Sequence, residues 1–213
     1  MSIRIGIFGG TFDPIHLAHL LIAEQCREQA RLEKILFIPS AVPPHKTLTN
    51  ISSFSDRARM VELAIAGNSR FEIDLLESNR SGPSYTLDTL TELHASHPDW
   101  DIHFIIGADG ILDLPGWHKP REILMKCQLC IVNRPGFPDV DIPALSRQLN
   151  TEIEDVKFSI VSVAQLDIAS RDIRALHKKG ASIRYMVPDS VRNWIVERGL
   201  YSETKELGST EQK

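Results

Sequence analysis

Ile3-Arg4-Ile5-Gly6-Ile7-Phe8-Gly9-Gly10-Thr11-Phe12-Asp13-Pro14-Ile15-His16-Leu17-Ala18-His19 decides the fold, because it runs from an apolar strand pattern through a glycine pair into a helical one. Residues 3–8 read as a buried first strand, and Leu20-Leu21-Ile22-Ala23-Glu24-Gln25-Cys26 reads as a helix. A glycine pair at the carboxyl end of a first strand, followed by a helix, is where open α/β sheets bind phosphates. Without a Cβ the backbone there can approach a ligand closely. His16 and His19 stand three apart, so on a helix they share one face near its positive end. Two imidazoles beside an anion site point to chemistry on a phosphate, which a dehydrogenase-type glycine fingerprint would not need.

Further along the chain, short apolar runs alternate with helical patterns. Strands are expected at residues 34–38, 71–73, 102–106, 129–132 and 158–161. Helices are expected over 56–66 (capped by Ser55, with Gly67 past its end), over 84–94 (started by Ser84 or Thr86), and over 120–126 with Pro120 in the first position. Two more are expected, over 171–179 and 189–198, with Gly180 and Gly199 as stops. Strand and helix in repeated order predict an α/β, doubly wound, mostly parallel sheet covered on both faces. The reading is one domain over 1–201 whose C-terminal helical portion begins at about 168, and a polar tail over 202–213 expected to be disordered.

Composition sets the bounds. A chain of 213 residues, 42% hydrophobic and 24% charged, has the make-up of an ordinary globular domain with a full core. A net charge of −4 and the lack of a basic aromatic stripe argue against a nucleic-acid partner, so an anionic ligand needs a local cluster of cations. Three cysteines, with no even framework, point to a reducing compartment and a cytoplasmic location. No apolar run approaches membrane-spanning length, so no membrane role is expected, while a homo-oligomer stays open.

Four places carry candidate chemistry. His16 and His19 can be hydrogen-bonded helix residues or anion ligands, and the glycine turn before them favours the anion site. In Ala169-Ser170-Arg171-Asp172-Ile173-Arg174, a cap at Ser170 would place two arginines in or beside a first helical turn, against the helix dipole, which suits a bound anion. Arg174 is the candidate phosphate ligand, while Arg171 points to solvent or pairs with Asp167. In Pro43-Pro44-His45-Lys46 the prolines stiffen a loop that presents two basic side chains, as a plain surface turn or as part of the site. At Gly107-Ala108-Asp109 the carboxylate can meet ribose hydroxyls or cap the next helix, and Trp117 can be core or can stack on a flat ring. Cys127 and Cys130 have redox-like spacing but no second pair, and read as structural.

The stretch from Gly9 to His19 resembles the signature of the HxGH nucleotidylyl transferases. The later segments resemble one branch, the bacterial nicotinate-nucleotide adenylyltransferases: Val42-Pro43-Pro44-His45-Lys46, Pro83-Ser84-Tyr85-Thr86-Leu87-Asp88-Thr89, Phe104-Ile105-Ile106-Gly107-Ala108-Asp109, Trp117, Asn133-Arg134-Pro135-Gly136, Ile168 through Arg174, Val187-Pro188-Asp189-Ser190-Val191 and Gly199-Leu200-Tyr201. They cover nearly the whole chain, in order. The resemblance implies a Rossmann-like fold and adenylyl transfer from ATP to nicotinate mononucleotide (NaMN) with Mg²⁺, giving nicotinate adenine dinucleotide (NaAD) and pyrophosphate in NAD biosynthesis. It implies that the Gly9, Gly10, Thr11 and Phe12 backbone, His16 and His19 hold the ATP phosphates. Gly107 and Asp109 would serve the adenosine, and Ser170 and Arg174 the outgoing phosphates, with His16, His19 and Arg174 as the catalytic set. Tyr85 and Thr86 would meet the nicotinate carboxylate, Trp117 would stack on the pyridine, and His45, Lys46 and Arg134 would surround the mononucleotide phosphate. No side-chain metal site is expected, Mg²⁺ being held mainly by the ATP phosphates. The chain departs from the family pattern at Ala18, where glycine is usual, and at Ala169, where a serine is frequent.

Two alternatives accompany this reading. One is the same fold acting on nicotinamide mononucleotide or another phosphate acceptor such as phosphopantetheine. The other is a nucleotide sensor without catalysis.

Overall fold

The computed structural model describes residues 2–43, 51–133, 140–164 and 166–202. Six strands form one sheet: β1 (Ile3–Gly10), β2 (Lys34–Pro39), β3 (Phe71–Ile73), β4 (Trp100–Gly107), β5 (Gln128–Asn133) and β6 (Phe158–Ser162), in the order β3-β2-β1-β4-β5-β6. Every neighbouring pair is parallel, so among the described strands the sheet is wholly rather than mostly parallel. The chain winds outward from β1 to β2 and β3, then returns to β4 on the other side and winds the opposite way. The strand order therefore reverses between β1 and β4, and the crevice outside their carboxyl ends is where such sheets take ligands.

Both faces are covered, and the alternation of side chains shows it. Ile5, Ile7, Leu36, Ile38, Ile102, Phe104, Leu129 and Ile131 point to one face, under α3 (Thr86–Ser96), α5 (Pro120–Lys126) and α6 (Ile142–Leu149). Ile35, Phe37, Ile105, Cys130 and Val132 point to the other. That face is covered by α1 (Leu17–Gln29), α2 (Phe54–Ile65), α7 (Ser170–Lys178) and α8 (Asp189–Glu197). A short α4 (Ala108–Asp113) follows β4 directly. Each fully buried isoleucine or leucine of these layers contributes about 1.5–3 kcal/mol. Strands β2, β4 and β5 read as continuous apolar runs because neither of their faces meets water, whereas the edge strand β6 exposes Phe158 and Ile160.

Several expected boundaries move. The cap of α2 is Ser53, two residues before the expected Ser55, and its hydroxyl accepts from the Asp56 N–H at 3.1 Å. Helix α1 begins at Leu17 with His16 as its N-cap, three residues earlier than its apolar run suggested. Helix α3 starts at Thr86 with Tyr85 before it, so Thr86 rather than Ser84 opens it. Helix α7 has Ala169, not Ser170, in the cap position, and no side chain caps it there. Helix α5 spans the expected residues, Pro120 occupying its first turn. Helices α4 and α6 had no counterpart in the sequence reading. The cap of α6 is Asp141, which accepts from the Ala144 N–H at 2.8 Å. Its end is Asn150, in the left-handed region at φ 48°.

At the amino edge of the sheet, His103 is fully buried on β4. Its Nε2 accepts from Arg4 Nε at 3.2 Å and lies 3.3 Å from an Asp101 carboxylate oxygen. Burial holds its imidazole below the ordinary pKa, opposed by Asp101 and reinforced by Arg4. The unfolded chain therefore takes up this proton at a higher pH than the folded one. Stability is fully present above the ordinary value of about 6.5 and is lost as pH falls from there through the folded value, by at most about 1.4 kcal/mol per pH unit. The urea midpoint is expected to fall between about pH 7 and about pH 5, and His103→Gln to flatten that dependence. An equal slope in the variant would remove His103 as the source.

Candidate active site

The crevice between β1 and β4 is a cleft of about 650 Å³. It is lined by Gly9, Gly10 and Thr11, at the end of β1, and by Tyr85, Thr86 and Trp117. The turn leaving β1 is tightly built. Phe12 takes a left-handed conformation, φ 49°, which folds its ring back over the glycines. A Cβ at Gly10 would come within 2.9 Å of that ring, so this position requires glycine. Phe12 packs edge-on against His19, ring centres 5.2 Å apart.

His16 and His19 meet at the start of α1. Their rings stack with centres 3.7 Å apart and planes 24° from parallel. His16 has an extended backbone, φ −145° and ψ 171°, and its N–H donates to His19 Nδ1 at 3.3 Å. With Nδ1 accepting, a neutral His19 carries its proton on Nε2 and presents a donor there. His16 is buried and His19 half-buried.

The C-terminal helices close on the same turn. Arg174 Nη1 donates to the Asp13 carbonyl at 2.7 Å, its guanidinium being 4.0 Å from the Asp13 carboxylate. Ser170 Oγ donates to the Pro14 carbonyl at 2.9 Å. The Leu17 N–H donates to the Met186 carbonyl at 3.0 Å. From below, the buried Arg57 donates to the carbonyls of Thr11 at 2.8 Å, Ser52 at 3.1 Å and Ala41 at 3.4 Å. Burial pulls its guanidinium below the ordinary value, and the nearby Asp13 opposes that pull. The group stays cationic because its starting value is so high.

The expected residues thus fall into three groups. Gly9, Gly10, Thr11, Tyr85, Thr86 and Trp117 line one cleft. His16, His19, Ser170 and Arg174 gather around the turn that continues from it, outside the cleft lining itself. Asp109 lies in the first turn of α4, exposed, and a Cβ at Gly107 would meet the end of its carboxylate side chain. Trp117 is half-buried and edge-on to Phe104, its ring centre 6.1 Å away. Arg171 is exposed and sits 3.5 Å from Asp172 rather than pairing with Asp167. His45, Lys46 and Arg134 lie outside the described residues, as does the tail beyond Ser202.

Known proteins resemble this chain in sequence and in fold. The cytidylyltransferase-like family model matches residues 7–176. A protein of Geobacillus thermodenitrificans named a probable nicotinate-nucleotide adenylyltransferase is 41% identical over 210 residues, 98% of this chain and 91% of that one. One of the same name from Geotalea uraniireducens is 42% identical, covering 95% of this chain and all of its own. The chain belongs to the nicotinate-nucleotide adenylyltransferases of the cytidylyltransferase-like family. The fold agrees as well. The Plasmodium falciparum nicotinic acid mononucleotide adenylyltransferase, solved in complex with NaAD, superposes with a TM-score of 0.77 over 93% of this chain and 97% of that one, at 22% identity.

Within the nicotinate-nucleotide adenylyltransferase fold, this chain's two departures have visible consequences. Ala18 is buried in the first turn of α1, its methyl accommodated. Ala169 leaves the start of α7 without a capping hydroxyl, which costs a helix about 1 kcal/mol. Sequence reasoning passed over four residues that matter to the site. Arg57 falls on the apolar stripe of α2, three after Phe54 and four before Val61, and a charge in that position is a readable signal. Asp13, buried in the turn, and Tyr201, bonded to it, depend on contacts between chain ends. His118 lines the cleft and stacks on Tyr85, ring centres 4.4 Å apart.

No cysteine serves as a nucleophile here. Cys26, Cys127 and Cys130 are free and buried, and burial pushes the Cys127 thiol up to about 12. Among the described residues no group of three or more His, Cys, Asp or Glu could hold a metal ion, and no helix is long and apolar enough to cross a membrane.

Proposed function

We propose that this chain transfers the adenylyl group of ATP to nicotinate mononucleotide, forming NaAD and releasing pyrophosphate. One observation carries the reading: a stacked imidazole pair and Arg174 converge on the turn that opens into the β1–β4 cleft. The acceptor phosphate brings its own nucleophilic oxygen. That oxygen attacks the α-phosphorus in line, the bond to the β-phosphate oxygen breaks, and pyrophosphate leaves with the electron pair. The protein has to align two anions and stabilise the charge that develops.

In this reading the Gly9–Phe12 backbone and the first turn of α1 hold the triphosphate, with His16 positioning it. His19 and Arg174 stabilise the charge on the phosphates as the bond to the leaving group lengthens. Asp109 and Gly107 serve the adenosine, and Ser170 serves the outgoing phosphates while anchored to Pro14. Tyr85 and Thr86 recognise the pyridine carboxylate, Trp117 stacks on the ring, and His45, Lys46 and Arg134 surround the mononucleotide phosphate. The donors around the turn are N–H groups and cations, a set that fits a magnesium ion held by phosphate oxygens and not by side chains. When bound, Mg²⁺ neutralises phosphate charge. The net charge of −4 supports small-molecule partners over nucleic acid, and the reduced cysteines support a cytoplasmic enzyme working as one domain over 1–201.

The test is a pyrophosphate-release assay with ATP and parallel acceptors: NaMN, its amide, and phosphopantetheine. Turnover is expected with NaMN. Turnover confined to another acceptor would reassign the substrate. ATP binding without pyrophosphate release from any of them would make the chain a nucleotide sensor.

A further inference from the structure

Gly199-Leu200-Tyr201, just past the end of α8, has no part in the reaction as drawn above, yet it reaches the site. Gly199 ends the helix in a left-handed conformation, φ 60°, and Tyr201 takes one too, φ 62°. That geometry is unfavourable for a bulky aromatic residue and persists only where the surroundings enforce it. What it achieves is to send the phenol back into the molecule. Tyr201 Oη donates to the Asp13 carboxylate at 2.7 Å, across 188 residues of sequence. Asp13 is buried, only 3% exposed, and its other carboxylate oxygen accepts from the Ser52 N–H at 3.4 Å. Burial, with the adjacent Asp13 carboxylate, pushes the Tyr201 phenol above its ordinary pKa, so it remains a donor.

Arg174 is the third group on Asp13, and it uses the carbonyl (2.7 Å), with the carboxylate 4.0 Å away. A carboxylate free to turn beside a guanidinium would draw it into a paired, two-pronged contact. Tyr201 on one carboxylate oxygen and the Ser52 N–H on the other fix the orientation of the Asp13 side chain instead.

We propose that Tyr201 is a positioning residue for the triphosphate site. By holding the Asp13 carboxylate in this orientation it keeps Arg174 on the Asp13 carbonyl and leaves the remaining guanidinium donors for the phosphates of ATP. The inference rests on the adenylyl-transfer reading and adds to it a residue from the far end of the chain. Removing the hydroxyl lets Arg174 collapse onto Asp13, so the loss shows in the handling of ATP and not of the acceptor.

The test is a double-mutant cycle on the full chain, read by pyrophosphate release. Tyr201→Phe is expected to lower kcat/KM for ATP about tenfold, as for a hydrogen bond to a charged group, while KM for NaMN changes by less than about twofold. In an Arg174→Ala background the same substitution is expected to have no further effect, because its target is gone. Asp13→Asn, which leaves the phenol ring in place, is subject to the same cycle should Tyr201→Phe fail to fold. Losses that multiply in the double variant, or an unchanged kcat/KM for ATP in the single one, would overturn the proposal. A wild-type control without turnover on NaMN would instead overturn the reading beneath it.

Discussion

His19→Ala is expected to lower kcat by at least about 100-fold while the protein stays folded. The size follows from the role. A donor aimed at charge that develops only as the leaving group departs affects the transition state more than the bound substrates, so the loss appears in kcat more than in KM. The ring is also tied to its surroundings by the His16 N–H on Nδ1, by stacking on His16, and by the edge contact with Phe12. These contacts hold one orientation, which is what makes the Nε2 proton useful. Their loss costs the α1 terminus about 1 kcal/mol, an amount typical of a lost helix cap and too small to unfold a domain of this size. Steady-state rates beside thermal melts separate the two effects. Turnover within a few-fold of the parent would take His19 out of the mechanism.

Arg57→Ala is expected to destabilise the fold by about 3–5 kcal/mol. This side chain is 1% exposed and satisfies carbonyls from three segments: the turn after β1, the one after β2, and the approach to α2. Truncation leaves those carbonyls buried without their donor, opens a cavity, and removes a cation that acts on the buried Asp13. Arg57→Lys should recover only part of the loss, because an ammonium cannot span three acceptors set by a planar fork. Denaturant unfolding of the three proteins gives the ranking. An alanine variant as stable as the parent would mean that water or a rearranged loop replaces every one of these contacts.

Apolar runs and local punctuation made most of the architecture readable before any coordinates. The strand patterns at 102–106 and 129–132 became β4 and β5, each one or two residues longer at its ends, because a strand buried on both faces leaves a continuous apolar signal. Pro120 marked α5 because a fixed φ without an N–H suits only a first turn. Where two local signals competed, the tertiary structure decided. Both Ser53 and Ser55 can cap a helix, and Ser53 does so where Arg57 binds the neighbouring Ser52 carbonyl. Helix α6 was missed because it is short and its cap signal, Asp141, stands without a long apolar stripe. The glycine turn and the His pair were visible as a local motif. Their fastening by Arg174, Ser170 and Tyr201 was not, since those contacts cross 156 to 188 residues and leave no local periodicity.

Those long-distance fastenings also order events during synthesis. All six described strands are encoded by residue 162, so a nascent chain can begin to assemble its sheet before α7 and α8 leave the ribosome. The groups that grip the turn at Asp13, Pro14 and Leu17 are made last, at positions 170, 174, 186 and 201. A polypeptide cut short before those positions therefore carries the nucleotide turn without its clamps, and competence arrives only once Tyr201 has been made.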